Sequence, residues 1–188
     1  FFQLDIGGDS IDYSGGDAES IYAGGHLGWR DPDAGSIGAV GMFQLFDPGD
    51  ADIDSWRAGA DIEAYLGLFT LGLEAGYSDL ADDAYVLARG RLYPIEDMSL
   101  ELRVGAADPG DSDPLTLVGA GGEYLIGGHV AIFSRVEASF LDDTDFDQTS
   151  VHAGVRIYFG GDSGTTLMGY DRGFFQRRIG DFPGRSLL

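Results

Sequence analysis

An alternation of apolar and polar residues with a period of two constrains this chain more than any other feature of its sequence. In residues 55–66, apolar side chains at even positions alternate with Arg57, Asp61 and Glu63, and residues 68–78 repeat the pattern. Successive side chains of a strand point to opposite faces, so the pattern indicates strands with one apolar and one polar side. We predict ten such strands, at 1–13, 18–30, 37–46, 55–66, 68–78, 84–93, 99–106, 115–126, 129–141 and 149–159.

The connections between these strands alternate in character. One set is acidic and contains Pro or Gly, as in 47–54 and 108–114, whereas the other set is mostly short, as at Gly67 and 127–128. The segment 31–36 is a longer exception in the short set. Short turns at one end and longer loops at the other are typical of β-barrels that cross bacterial outer membranes.

The last predicted strand carries a resemblance to a known family. The pattern His152-x-Gly154-x-x-Ile157-x-Phe159 resembles the closing strand of small bacterial outer-membrane β-barrel proteins, which include porin-like barrels of eight to ten strands. In that family this strand is the signal that the barrel-insertion machinery reads. The resemblance implies that these four residues form an insertion signal and that the protein resides in the outer membrane.

An alternating strand does not say which face is inside. A soluble, lipocalin-like barrel would place its apolar face inward, whereas a membrane barrel turns that face to lipid. All eleven basic residues are Arg, and Arg suits confined pairing with carboxylates better than Lys does. Strand arginines share the polar face with acids and many glycines, so we predict a lumen filled by an Arg–carboxylate network. The predicted network comprises Arg57, Asp61, Glu63, Glu74, Arg89, Arg91, Glu101, Arg103, Glu123, Arg135, Glu137 and Arg156.

The predicted fold is therefore all-β: a closed, antiparallel, up-and-down transmembrane β-barrel of about ten strands. Eight strands are the alternative, if the first pair is misread. The barrel would cover residues 1–159, and a short periplasmic extension would cover 160–188. Aromatic residues near both ends of the strands are expected to form two interfacial girdles. If the protein is exported, we expect Phe1 at or near a processing site.

The composition narrows the function. A net charge of −21 argues against nucleic-acid binding. The three histidines, His26, His129 and His152, are scattered, and none lies with a Ser or paired acids at a predicted external strand end. We therefore expect no enzymatic activity. The expected role is structural or accessory in the outer membrane, and the alternatives are a narrow channel for small solutes or ions and a soluble lipocalin-like binder.

Partners are predicted at two places. The extension could be a disordered remnant, a plug of the barrel, or an arm that docks on another protein; we predict contact with a partner through Phe174, Phe175, Arg177 and Arg178. The outer surface would meet membrane lipid and lipopolysaccharide. No cofactor is expected, although two acidic runs have the oxygen ligands that Ca²⁺ or Mg²⁺ prefers. Those runs contain Asp50, Asp52, Asp54, Asp143, Asp145 and Asp147.

Overall fold

Ten antiparallel strands in sequence order form one curled sheet. The computed structural model describes residues 2–13, 16–47, 53–79, 83–108, 114–141, 147–158 and 165–174. The strands are β1 (Phe2–Tyr13), β2 (Gly16–Asp31), β3 (Gly35–Asp47), β4 (Ile53–Leu66), β5 (Phe69–Ser78), β6 (Asp83–Ile95), β7 (Met98–Asp108), β8 (Leu115–Ile126), β9 (Val130–Leu141) and β10 (Asp147–Ile157). A helical turn, α1 (Leu167–Gly169), and a π-helical turn, α2 (Tyr170–Phe174), follow β10.

Every strand pairs with the next one along the chain, from β1 to β10. The pairing is regular enough to place residues opposite one another, such as Leu4 opposite Gly25 and Ile157 opposite Val130. The predicted all-β, up-and-down arrangement of about ten strands is thus confirmed. Among the described residues, the pairing runs from β1 to β10 without a ladder between these two strands.

Two connections differ from the sequence prediction. The sequence predicts a longer connection at 31–36, but β2 continues through Asp31 and β3 begins at Gly35, so only the turn 32–34 remains. Similarly, β6 continues past the predicted end to Ile95, with a register irregularity after Leu92. Pro94 lies in this irregular stretch, where a strand tolerates a residue that has no N–H to donate. All four connections at this end of the sheet are therefore tight, and we call it the turn end.

The two faces of the sheet differ in burial, with apolar side chains exposed on the outer face and charged side chains buried on the inner face. On the convex face, large apolar side chains are exposed from one side of the sheet to the other; Leu71, Leu73 and Ile157 are 50%, 47% and 57% exposed. On the concave face, charged side chains such as Arg57 and Glu74 are buried. The predicted alternation in β10 is confirmed, because Val151 and Val155 lie on the exposed face while His152 and Arg156 lie on the other.

At the turn end, each tight turn is bonded to a later strand. The backbone N–H groups of Tyr65, Tyr93, Leu125 and Tyr158 donate to carbonyl oxygens in the turns 32–34, 67–68, 96–97 and 127–129, at 2.7–2.9 Å. The four donating residues are all buried, and we refer to them as the collar. The collar therefore ties successive hairpins together at one end of the sheet.

The curl of the sheet is evident from one short segment that lies against the collar. Residues 165–173, here called the cap, contact three of the four turns. The N–H of Met168 donates to the Glu96 carbonyl oxygen, the Tyr170 hydroxyl donates to that of Gly128, and Arg172 donates to that of Gly67. Since so short a segment reaches turns that lie four strands apart, the sheet curls around it.

Candidate functional site

The interior of the curled sheet holds a chain of alternating charges. Arg91 donates to Glu101 through Nε and Nη2, at 3.1 and 2.6 Å, and Arg103 donates to Glu101 as well. Arg103 also pairs with Glu137 at 3.0 Å, and Arg135 lies 3.4 Å from the same carboxylate. Strands β6 to β9 place these groups side by side because inward positions recur at every second residue.

Two further ion pairs flank this chain of charges. Arg89 pairs with Glu63 at 3.2 Å, and both side chains are almost fully withdrawn from solvent. On the other side, Arg156 pairs with Glu123 at 2.6 Å. Buried charges are tolerated when they are paired and hydrogen-bonded, so these interactions compensate for the loss of hydration.

Tyr158, one of the collar residues, is bonded to both members of the Arg156–Glu123 ion pair. Its hydroxyl donates to Glu123 at 2.8 Å and accepts from Arg156 at 2.7 Å. Burial, together with the nearby carboxylate of Asp171, raises the pKa of Tyr158, so its phenol stays protonated at any physiological pH. The tyrosine is therefore a permanent donor to the Glu123 carboxylate.

Glycines on the concave face leave room for these side chains. A Cβ atom at Gly59 or Gly76 would come within 2.7 Å of the Tyr85 hydroxyl, and one at Gly154 would lie 2.9 Å from the Phe133 ring. Tyr85 uses the space to donate to Glu74 at 3.0 Å. Beside the charge chain lies a cavity of about 40 Å³, lined by residues that include Arg91, Glu101 and Arg156. A cavity of this size holds only a few water molecules.

The cap closes the turn end over this interior. Its Leu167 and Tyr170 side chains are fully buried and pack with Leu125, Ala131 and Tyr158. The Tyr170 ring stacks on Tyr158 with 4.5 Å between the ring centroids, and its hydroxyl oxygen lies 2.9 Å from Nδ1 of His129. These contacts fix the middle of the cap against β8, β9 and the end of β10.

Two charged residues fix the remainder of the cap. Asp171 accepts from Arg91 Nη1 at 2.6 Å and from the Tyr93 hydroxyl at 3.0 Å. Arg172 donates to the carbonyl oxygens of Gly67 and Phe69 at 2.8 and 2.9 Å. Its guanidinium also lies over the rings of the collar residues Tyr65 and Tyr93, at 5.1 and 5.4 Å from their centroids. The cap thus spans the opening from β4 to β10.

All twelve residues of the predicted network lie on the concave face, buried or half-buried. The buried ones are Arg57, Asp61, Glu74, Arg89, Arg103 and Glu137, and the half-buried ones are Glu63, Arg91, Glu101, Glu123, Arg135 and Arg156. Salt bridges connect several of them. Of the predicted insertion signal, His152 and Gly154 face inward and Ile157 faces outward, while Phe159 lies outside the described residues.

Other predicted site residues fall mainly outside the described part of the chain. These are Phe175, Arg177 and Arg178 of the partner-binding set, and Asp50, Asp52, Asp143 and Asp145 of the acidic runs. Phe174 ends the π-helical turn, and Asp54 and Asp147 lie in strands β4 and β10. Within the described ranges, His and acidic residues form no group of three that could hold a metal ion.

Sequence reasoning missed the residues that join the cap to the interior. Asp171, Arg172 and Tyr170 lie beyond the predicted barrel, and the sequence identifies Tyr93 only as the last residue of the predicted strand 84–93. One signal was available: Leu167 and Tyr170 are spaced three apart, as on one face of a helical turn. That spacing favours a docked segment but does not identify its docking site.

The structure contains no helix, within the residues it describes, that is long and apolar enough to span a membrane. Comparison with known proteins finds no matching family model, no matching curated protein and no matching solved structure.

Proposed function

We propose that this protein is a bacterial outer-membrane β-barrel with a structural or accessory role, in which β1 and β10 close the sheet and lipid covers the convex face. The observation that carries the proposal is the inverted burial of the sheet. Large apolar side chains are exposed on strand after strand of the convex face, and arginines and glutamates are buried on the concave one.

The extent of the apolar surface supports lipid as its environment. The largest apolar patch on a typical monomer measures about 300–600 Å², and larger ones mark protein or membrane contacts. Here exposed apolar residues occur on both outermost strands, at Leu4 and Val155, and on the strands between them. A protein partner usually covers one side of a molecule, whereas a membrane surrounds it.

The interior supports a filled barrel rather than a wide pore. Barrels of about eight strands have room only for side chains, whereas 16–18 strands leave an aqueous channel. The ion pairs lie on the concave side with a small cavity beside them, and the cap covers the turn end. The second candidate function is a narrow channel for small solutes or ions. Single-channel conductance measurements in planar bilayers distinguish a filled barrel from such a channel. A lipocalin-like binder would need an apolar interior, which the paired charges do not provide.

The role of the remaining tail belongs to the same proposal. Residues 174–188 continue from the cap at the turn end, which would face the periplasm, and carry Arg177, Arg178 and Arg185. We retain a protein or membrane partner as the target of this tail and lipopolysaccharide as the neighbour of the acidic loops. Neither role requires an enzymatic activity or a cofactor. Ca²⁺ or Mg²⁺ would serve only as an ion that bridges the acidic loops to lipopolysaccharide.

Tryptophan fluorescence tests the membrane assignment directly, because the chain has only two Trp residues. Trp29 lies near the turn end and Trp56 near the opposite end, and both are exposed on the convex face. In vesicles, we expect lipids brominated near the headgroup to quench each Trp more strongly than lipids brominated near the chain terminus. Trp29→Phe and Trp56→Phe variants separate the two signals.

The depth control is Leu73→Trp in a chain lacking both native Trp residues. Leu73 lies in the middle of β5 on the exposed face, so its replacement should show the reverse order of quenching. Quenching by aqueous iodide at all three positions, with no effect of brominated lipid, would refute the membrane assignment.

A further inference from the structure

The charge chain of the interior includes a carboxylate that does not come from the sheet. Read from the cap inward, it runs Asp171, Arg91, Glu101, Arg103, Glu137 and Arg135. Three arginines face three carboxylates, but only two of those carboxylates belong to strands. Without Asp171, the strand residues of this chain carry one more positive than negative charge.

Both groups that receive Asp171 lie on strand β6, and Arg91 is also bound by a carboxylate of the sheet. Glu101 binds Arg91 through Nε and Nη2, which leaves Nη1 directed at the cap. Tyr93 is fully buried, and its hydroxyl points to the same oxygen of Asp171. A guanidinium and a phenol that converge on one oxygen are the donors that a carboxylate requires.

The cap is also anchored independently of Asp171. Leu167 and Tyr170 are buried against Leu125 and Tyr158, and Arg172 is bonded to two backbone carbonyls near the turn 67–68. Loss of the Asp171 carboxylate should therefore leave the cap docked and the two donors facing an empty space.

We propose that Arg91 and Tyr93 form a carboxylate-binding site that the chain fills with its own Asp171, so that the cap is an internal ligand as well as a closure. A small free carboxylate binds at the same donors when the Asp171 side chain is absent or the cap is displaced. The proposal goes beyond the membrane role proposed above, since it concerns a ligand of the interior.

Chemical rescue tests the site in the full-length protein. Asp171→Ala removes the carboxylate and leaves room for formate, which is the probe. At a formate concentration ten times its dissociation constant, we expect about a tenfold increase in the ratio of folded to unfolded Asp171→Ala protein. Sodium chloride at the same ionic strength should give no comparable increase, and the wild type should respond equally to both salts.

Two matched variants identify the donors. Asp171→Asn keeps the volume of the side chain, so formate has no space to bind and should not stabilise it. Asp171→Ala combined with Tyr93→Phe retains the space but lacks one donor, and should need a several-fold higher formate concentration. A response of Asp171→Ala that is the same in formate and chloride would overturn the proposal.

If Asp171→Ala does not fold in chloride, its refolding yield becomes the measurement. A yield that formate restores supports the site, and a yield that neither salt restores overturns it. The experiment is performed in detergent micelles and measures folding, so its result does not depend on whether the convex face contacts a membrane.

Discussion

At the scale of single residues, Arg89 and Glu63 are the clearest example of a buried ion pair, because their side chains are 6% and 11% exposed and lie 3.2 Å apart. Removal of one member of a buried ion pair leaves an uncompensated charge and typically costs about 3–5 kcal/mol. We expect this loss in the free energy of unfolding for Arg89→Met, measured by denaturant titration in detergent.

Replacement of both members should recover most of that loss. Arg89→Met combined with Glu63→Leu removes the pair without leaving a charge, and apolar pairs of similar volume are often neutral substitutes. Glu96→Gln is the matched control, because Glu96 is exposed in a turn and should change stability by less than about 0.5 kcal/mol. If the double variant loses as much free energy of unfolding as Arg89→Met and Glu63→Leu lose together when measured singly, the result would contradict an interior ion pair.

At the residue scale, the sequence predicts the face on which a side chain lies but not its long-range partner. The inward placement of Arg57 or Glu74 follows from its parity within a strand. The pairing of Arg91 with Asp171 does not, because the two residues are 80 positions apart and only the curl of the sheet brings them together. Local alternation determines the face on which a residue lies, whereas a long-range partner depends on tertiary structure.

The cap is the element whose contribution is most open to experiment. Tyr170 stacks on Tyr158 and donates to the Gly128 carbonyl oxygen, so Tyr170→Ala should release the cap from the collar. Trypsin cleaves after Arg, and Arg172 is protected by its bonds to Gly67 and Phe69. We expect at least tenfold faster tryptic cleavage after Arg172 in Tyr170→Ala, followed by mass spectrometry.

The control for the cap is Gly173→Ala. A Cβ atom there has no neighbour within 4 Å, so the cap should stay docked in this variant. Because Gly173 forms part of the cleaved bond, each rate is divided by the rate for the same chain in denaturant, and this ratio should equal that of the wild type. Equal ratios for Tyr170→Ala and Gly173→Ala would mean that Tyr170 does not hold the cap in place.

Strands and connections differed in how well the sequence revealed them. Strand positions followed from the period of two, which is independent of tertiary contacts. The turn 32–34 was overestimated in length because Pro32, Asp33 and Gly35 all favour loops, although the strand pairing extends up to Asp31 and Gly35. The cap carried no strand period, so sequence reasoning left its docking open among three alternatives.

Closure is the decisive property of the whole molecule, and the absence of Cys from the sequence makes it testable. If β10 pairs with β1, Cys at Leu4 should form an intramolecular disulfide with Cys at one of the outward positions Val151, Ala153, Val155 or Ile157. Only the partner in the correct register lies within the roughly 4.4–6.8 Å Cα separation that a disulfide requires.

The closure experiment has internal controls. Leu4→Cys with Gly25→Cys joins directly opposed residues of β1 and β2 and should cross-link in either case. Leu4→Cys with Leu73→Cys joins strands β1 and β5 and should not. A positive first control without any cross-link to β10 would mean that the sheet is open.

The collar has a consequence for the accuracy of assembly. Each of its backbone bonds joins a turn to the strand after the next one, so adjacent hairpins share a fixed reference point at one end. A slip of one residue in any hairpin would invert its faces and also misalign the neighbouring bond. The bonds at the turn end therefore couple the strand register of each hairpin to that of the hairpin before it.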